Sequence, residues 1–294
     1  MKIAIWTDND LDGAGSAFLL KQLYGKRASE IFIKEASDNE LPQIKAWLEA
    51  NYSNYTTIYI TDLYIPDELV EAVDREKVVV IDHHKSHVLV KDRFKKAKAI
   101  IEIETSCTKL IYNKFQKIFD EFITQQQRTL IDIIDDYDSY QLKYPETLKL
   151  NAVYRFYNRP KVDKFIENFS EGIRDFNVYE LNSIKLYFNK LKDELTNTQY
   201  FCGNIKGYKV VSCFANFAIN EVAHTVLKKF DADIAIIVIS KANAVSFRRN
   251  GNRCSIDLSS LAEKLCDGGG HEYAAGGTIT DNFLKFTQTL TLCS

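Results

Sequence analysis

The sequence predicts an α/β protein: an N-terminal, mostly parallel sheet flanked by helices, a helical linker, and a smaller C-terminal α/β domain. Three observations predict it. Short β-branched runs alternate with helical patterns through the first half, as strands and covering helices of a parallel sheet do. The texture then turns helical and charged between residues 162 and 200, and strand-like runs return after Gly203. The boundaries drawn from these shifts are 1–160, 161–200 and 201–294.

Taken in order, residues 2–7 read as a strand and 15–24 as a helix, followed by a strand at 31–35 and a helix at 41–50 that starts near Glu40 and Pro42. A third strand spans 57–61, and a helix at 66–73 carries Pro66 at a tolerated first-turn position. The run 77–81 is continuously apolar, as expected of a strand buried on both faces, and 99–103 adds another. Residues 106–136 turn helical, and Ile184, Tyr187, Leu191 and Leu195 make one apolar stripe of a packing helix. In the last third, 210–214, 234–240 and 244–248 read as strands, with helices at 220–229 and 258–265.

The chain has 294 residues, with 38 Lys+Arg against 40 Asp+Glu for a net charge of −2, and 46% of it is hydrophobic. That composition is globular, and no basic excess dictates nucleic acid as a partner. Apolar runs such as 234–239 are strand-length, well short of the roughly 20 residues a spanning helix needs, so no membrane partner is expected. The N-terminus runs straight into Asp8, Asp10 and Asp12, unlike a signal peptide. Six cysteines lie scattered without a C-x-x-C pair and read as reduced thiols of a cytoplasmic protein.

The carboxylates are the informative feature. Asp8, Asp10 and Asp12 follow the first strand, Asp62 ends the third, and Asp82-His83-His84 ends the fourth. The carboxyl ends of parallel strands line one edge, where ligand crevices form. Clustered carboxylates repel one another, and bound divalent cations resolve the repulsion. A calcium helix-loop-helix reading of Asp8–Gly13 fails because a strand precedes it and its twelfth position is Leu19. A dinucleotide cradle fails for want of a third glycine. Helix-capping aspartates would suffice for the segment alone, but not for its coincidence with the other two.

Two adjacent histidines behind an Asp suit a site in which one imidazole ligates a metal and the other meets substrate, with Asp82 fixing a tautomer. Gly268-Gly269-Gly270-His271 supplies backbone amides open to an anion and a directional donor after them. Ser246 and Arg248 end a predicted strand in the same domain, and a guanidinium suits phosphate.

Together, and in this order, Asp8–Ser16, Thr61-Asp62-Leu63, Ile81–Lys85, Asp136-Tyr137-Asp138-Ser139-Tyr140, Val245–Arg248 and Gly268–Gly277 resemble the DHH phosphoesterase family. The order and spacing are most similar to its nano-RNase branch, which degrades very short oligoribonucleotides. The resemblance implies two divalent ions, usually manganese, with magnesium as the alternative. Asp8, Asp10 and Asp62 would hold one; Asp12, Asp62, His83 and Asp138 the other, with Asp62 bridging. Asp82 would support from behind, and His84 would face the scissile phosphate. Arg248 and His271, with Ser246, Gly268, Gly269 and Gly270, would bind substrate phosphate from the C-terminal DHH-associated domain, across an interdomain cleft holding the active site. Asp132, Asp135 and Asp136 crowd the helix that carries Asp138, so composition alone does not single that ligand out.

One position departs from the branch pattern. The nano-RNase pattern has His where this chain has Asp8, and an Asp there is more typical of the single-strand DNA exonuclease branch. An all-oxygen shell results, which suits manganese or magnesium. The expected function is therefore hydrolysis of very short oligonucleotides to mononucleotides. The alternatives are exonuclease action on single-stranded DNA, hydrolysis of cyclic dinucleotides or nucleotide phosphates, and a nucleotide-binding protein that has lost catalysis.

Overall fold

The computed structural model describes residues 1–37, 40–251 and 253–293. Chain contacts divide it into two compact units, Met1–Ile184 and Lys185–Ser294.

The first unit opens with β1 (Lys2–Asp8), α1 (Leu11–Tyr24), β2 (Glu30–Ala36), α2 (Gln43–Asn51), β3 (Thr57–Thr61), α3 (Asp67–Val73), β4 (Val78–Asp82), α4 (Lys85–Val88) and β5 (Lys98–Ile101). The five strands form one sheet in the order β2-β1-β3-β4-β5, parallel throughout. Alternating side chains fill the two faces. Ala4, Trp6, Ile58, Ile60, Val78 and Val80 pack with Ile44 and Leu48 of α2 and Leu69, Val70 and Val73 of α3. Ile3 and Ile5, both fully buried, belong to the opposite face.

Helices α5 (Cys107–Lys114), α6 (Gln116–Phe119), α7 (Gln125–Asp138), α8 (Thr147–Arg155) and α9 (Lys161–Phe169) follow, then α10 (Val178–Asn197), within which the unit boundary falls. α1 is buried on nearly every side because it packs on the sheet and also meets α5, α7 and α9. α7 starts with a capping box in which Thr124 and Gln127 satisfy each other's backbone amides.

The second unit continues with β6 (Tyr200–Ile205), β7 (Tyr208–Phe214), α11 (Ile219–Lys229), β8 (Ile234–Ile239), β9 (Ala244–Arg249), α12 (Leu258–Cys266), β10 (Gly269–Gly270), β11 (Ala274–Thr278), α13 (Asp281–Thr287) and β12 (Thr291–Leu292). Its sheet has the order β10-β11-β9-β8-β7-β6-β12, with only the β7–β8 pair parallel. α11 covers one face, with Val222, Ala223 and Val226 against Val211, Cys213, Ala235 and Ile237. α12 and α13 cover the other, around Ile236, Phe247, Leu258 and Phe283.

One sequence reading needs correction. The expectation of six reduced thiols gives way to a Cys202–Cys293 disulfide. Strand β12 pairs antiparallel with β6, setting Thr291 opposite Cys202, and Cys293 follows directly where its amide donates to the Tyr200 carbonyl. The other four, Cys107, Cys213, Cys254 and Cys266, are free and buried. In the glycine stretch, Gly269 and Gly270 form β10 and pair antiparallel with Gly276 and Ala275 of β11. Gly268 could carry no side chain, since a Cβ there would lie 2.0 Å from the Gly276 carbonyl oxygen. Among the described residues, no helix is long and apolar enough to cross a membrane.

Candidate metal centre

The carboxyl ends of β1, β3 and β4 lie side by side, so Asp8, Asp62 and Asp82 emerge from neighbouring strands. The turn after β1 is closely held. Asp10 caps α1, its Oδ1 accepting from the Gly13 amide at 2.9 Å. A Cβ at Gly13 would sit 2.2 Å from the Asp8 carbonyl oxygen, so only glycine lets the helix start this close to the strand. A buried hydroxyl chain ties the pieces together: Thr61 Oγ1 donates to Thr7 Oγ1 (3.0 Å), which donates to the Gly13 carbonyl (2.8 Å). The capping role of Asp10 is thus real and coexists with its place in the acidic cluster.

Three groups of ligand atoms form, each within 4.8 Å: Asp8, Asp10 and Asp62; Asp12, His83 and Asp138; and Asp62, His83 and His84. Asp62 and His83 join them. His83 Nε2 lies 3.2 Å from Asp62 Oδ1 and 3.7 Å from Asp12 Oδ2, while its Nδ1 lies 3.6 Å from Asp138 Oδ2.

The cluster also bears the mark of a cation site. Asp62 is 3% exposed, and its Oδ2 is buried without a hydrogen-bond partner. Its backbone is left-handed, at φ 57°, a conformation that costs a non-glycine residue energy and tends to persist where a site needs it. Burial, then the neighbouring charges of Asp12 and Asp10, drive its carboxyl well above the usual range. Asp12 is raised by burial, eased by His83 and raised again by Asp10. Asp138, about a quarter exposed, is pushed up to about 7 by desolvation, against the pull of His83 and with the push of Asp12 and Asp10. Carboxylates held together in this way suit hard dications, which neutralise them and accept oxygen and imidazole ligands.

The crowded acidic helix is resolved residue by residue. Asp132 pairs with Lys109 Nζ at 2.5 Å, and Asp135 accepts from the Ser106 amide at 2.8 Å. Asp136 accepts from the amides of Lys143 (2.9 Å) and Tyr144 (3.2 Å) and from the Thr147 hydroxyl. Asp138 alone of the four stands beside His83.

Asp12 is held by α5, its two oxygens accepting from the amides of Cys107 (2.7 Å) and Thr108 (2.8 Å) at that helix's first turn. Asp82 is fully buried and holds His84 Nδ1 on Oδ1 at 2.8 Å. Burial opposes its ionisation, but the bonds and charges of His84 and His87 hold its carboxyl far below the usual range. For His84, burial works against the proton, and Asp82 outweighs it, placing the imidazole at about 9.

His87, which the sequence reading passed over, completes this group with Nδ1 at 2.7 Å from Asp82 Oδ2. The signal that could have marked it is its spacing of three from His84.

In the second unit, Arg248 donates to Ser246 Oγ (2.9 Å), to the Phe247 carbonyl (2.8 Å) and to Asn220 Oδ1. Asn220, from α11, is a second contributor missed in the sequence. His271 closes the hairpin turn, its amide donating to the Ala274 carbonyl at 2.7 Å. Gly270 has φ 136°, which favours glycine, and Gly269 faces open space.

Residues 2–135 match the DHH family, N-terminal domain, and residues 207–292 match the DHHA1 domain. The chain is 25% identical over 317 residues to oligoribonuclease NrnB of Bacillus subtilis (strain 168), covering 94% of this chain and 73% of that protein. Among solved structures, the DHH domain of a member of the S1p family of ribosomal proteins superposes with a TM-score of 0.63 at 14% identity, over 99% of this chain and 87% of that one. Exonuclease RecJ bound to manganese gives a TM-score of 0.51 at 14% identity, over 98% of this chain and 88% of that one.

Proposed function

The chain belongs to the DHH family, and we propose that it is a metal-dependent phosphodiesterase that hydrolyses very short oligonucleotides to mononucleotides. The observation that carries the reading is Asp62, whose carboxylate joins a group with Asp8 and Asp10, keeps Oδ2 buried and unpartnered, and faces His83 with Oδ1. Asp8, Asp10 and Asp62 would hold one divalent ion, and Asp12, Asp62, His83 and Asp138 a second. Manganese is the preferred ion and magnesium the alternative, since the donors are oxygen with one imidazole; manganese is also the ion bound to RecJ. Bound ions would supply an activated water and neutralise charge on the phosphoryl oxygens.

The chain's own groups do the rest. His84, whose proton the Asp82 carboxylate favours, would donate to a non-bridging phosphate oxygen and stabilise the charge that builds there. Arg248, oriented by Ser246 and Asn220, would take a substrate phosphate, with His271 and the amides of Gly268, Gly269 and Gly270 as further donors. Similarity to an oligoribonuclease and a charge of −2 favour short substrates over long strands, which call for a basic groove.

The test is product analysis with manganese on a 5′-phosphorylated diadenylate, a cyclic dinucleotide and long single-stranded DNA. Mononucleotides from the diadenylate support the reading. Degradation of the long DNA alone overturns it in favour of the single-strand exonuclease alternative that Asp8 raises.

A further inference from the structure

We infer that His87 is a positioning residue for His84, acting through the carboxylate of Asp82. The inference rests on the reading that His84 faces the scissile phosphate.

Asp82 and His87 are both fully buried, and the carboxylate bridges two imidazoles: Oδ1 to His84 Nδ1 at 2.8 Å, Oδ2 to His87 Nδ1 at 2.7 Å. An ionised carboxylate only accepts, so both Nδ1 atoms must carry their protons. His84 is thereby held with its Nδ1 proton on Asp82 and its Nε2 turned away from it. Without His87, Oδ2 would keep the more distant His84 amide at 3.2 Å, and the carboxylate could rotate and carry the His84 ring with it.

The His87 ring is gripped edge-on by Tyr64 and Phe94, with centroids at 5.5 and 5.9 Å, so it cannot follow such a rotation. Its Nε2 is buried with no hydrogen-bond partner. An unpartnered buried ring nitrogen is a cost that an apolar residue in this aromatic pocket would avoid. The bond to Asp82 is what the imidazole gains in return, and that points to orientation rather than packing.

The experiment uses the full chain with manganese and the 5′-phosphorylated diadenylate. His87→Leu should lower kcat by about 10- to 100-fold, leaving KM and calorimetric manganese affinity within about twofold. His87→Asn, whose amide nitrogen falls where Nδ1 was, should return kcat to within about threefold of wild type. Imidazole NMR of the substrate-free protein should show hydrogen-bonded Nδ1 protons on both His84 and His87, with the His84 signal lost to solvent exchange in His87→Leu. Unchanged kcat in His87→Leu, or an unaltered His84 proton, overturns the inference. If wild type does not cleave the diadenylate, the functional reading fails and the NMR comparison still decides the inference. If His87→Leu does not fold, absence of the His87 proton in wild type overturns it.

Discussion

His83 Nε2 lies 3.2 Å from Asp62 Oδ1, and this pair, from the ends of two adjacent parallel strands, is where the ligand groups of the first unit meet. Register explains the meeting: β3 and β4 align Thr61 with Ile81, so Asp62 follows directly on β3 while His83 comes one residue later, just past Asp82 at the end of β4.

Removing Asp62 should therefore disable both proposed ion sites, and removing His83 the second of them. Asp62→Ala and His83→Ala are expected to lower manganese-dependent cleavage by about 100-fold or more, with circular dichroism unchanged. Retained turnover in either variant would remove the metal assignment.

Asp138 and Asp136 are two residues apart yet should fail differently. Asp138→Ala is expected to weaken manganese binding in calorimetry without lowering thermal stability. Asp136→Ala strips acceptors from the Lys143 and Tyr144 amides and the Thr147 hydroxyl, and is expected to cost about 2–4 kcal/mol while the folded protein keeps its manganese affinity.

The metal-free protein should lose stability as pH rises. A carboxyl whose folded pKa is raised contributes stability that is complete below its ordinary value and disappears as pH passes the raised one. For Asp138 that window runs from 3.8 to about 7. Thermal melts in chelator should fall through this range, and saturating manganese at pH 7.5 should raise the midpoint by several degrees. A flat profile in chelator would show that the carboxylates do not repel as placed.

Gly13→Ala should destabilise the chain by about 1–3 kcal/mol and remove cleavage, because backbone atoms of Asp8 occupy the space a methyl group needs. Wild-type stability in urea titration would contradict the close approach.

Arg248→Ala should raise KM more than it lowers kcat, and Arg248→Lys should not restore it, since one ammonium nitrogen does not reproduce the guanidinium fork that sets one nitrogen on Ser246 and the other on Asn220. An unchanged KM would argue against phosphate binding there.

The parallel sheet was legible because its strands are rich in β-branched residues and three of the five run into a marked Asp; the run 57–61 coincides with β3. β11 was not legible. Ala274-Ala275-Gly276-Gly277-Thr278 has almost no strand propensity and pairs with β9 because its small residues permit close approach, a Cβ at Gly276 falling 2.8 Å from the Val245 carbonyl oxygen. Among the acidic residues, sequence could mark Asp62 by its place after a strand. It could not tell Asp138 from Asp136, because the difference lies in partners supplied by a later turn. His87 and Asn220 were hidden for the same reason: each acts through a residue that folding brings to it.

The grip of α5 on Asp12 joins positions 95 and 96 residues apart along the chain. A nascent or partly refolded polypeptide can form the first strand-turn-helix and still lack an anchored Asp12, because that anchor arrives only when a distant helix docks. A cation held through Asp12 would bind fully only after that docking, so its apparent affinity would gauge how completely the chain has closed on itself.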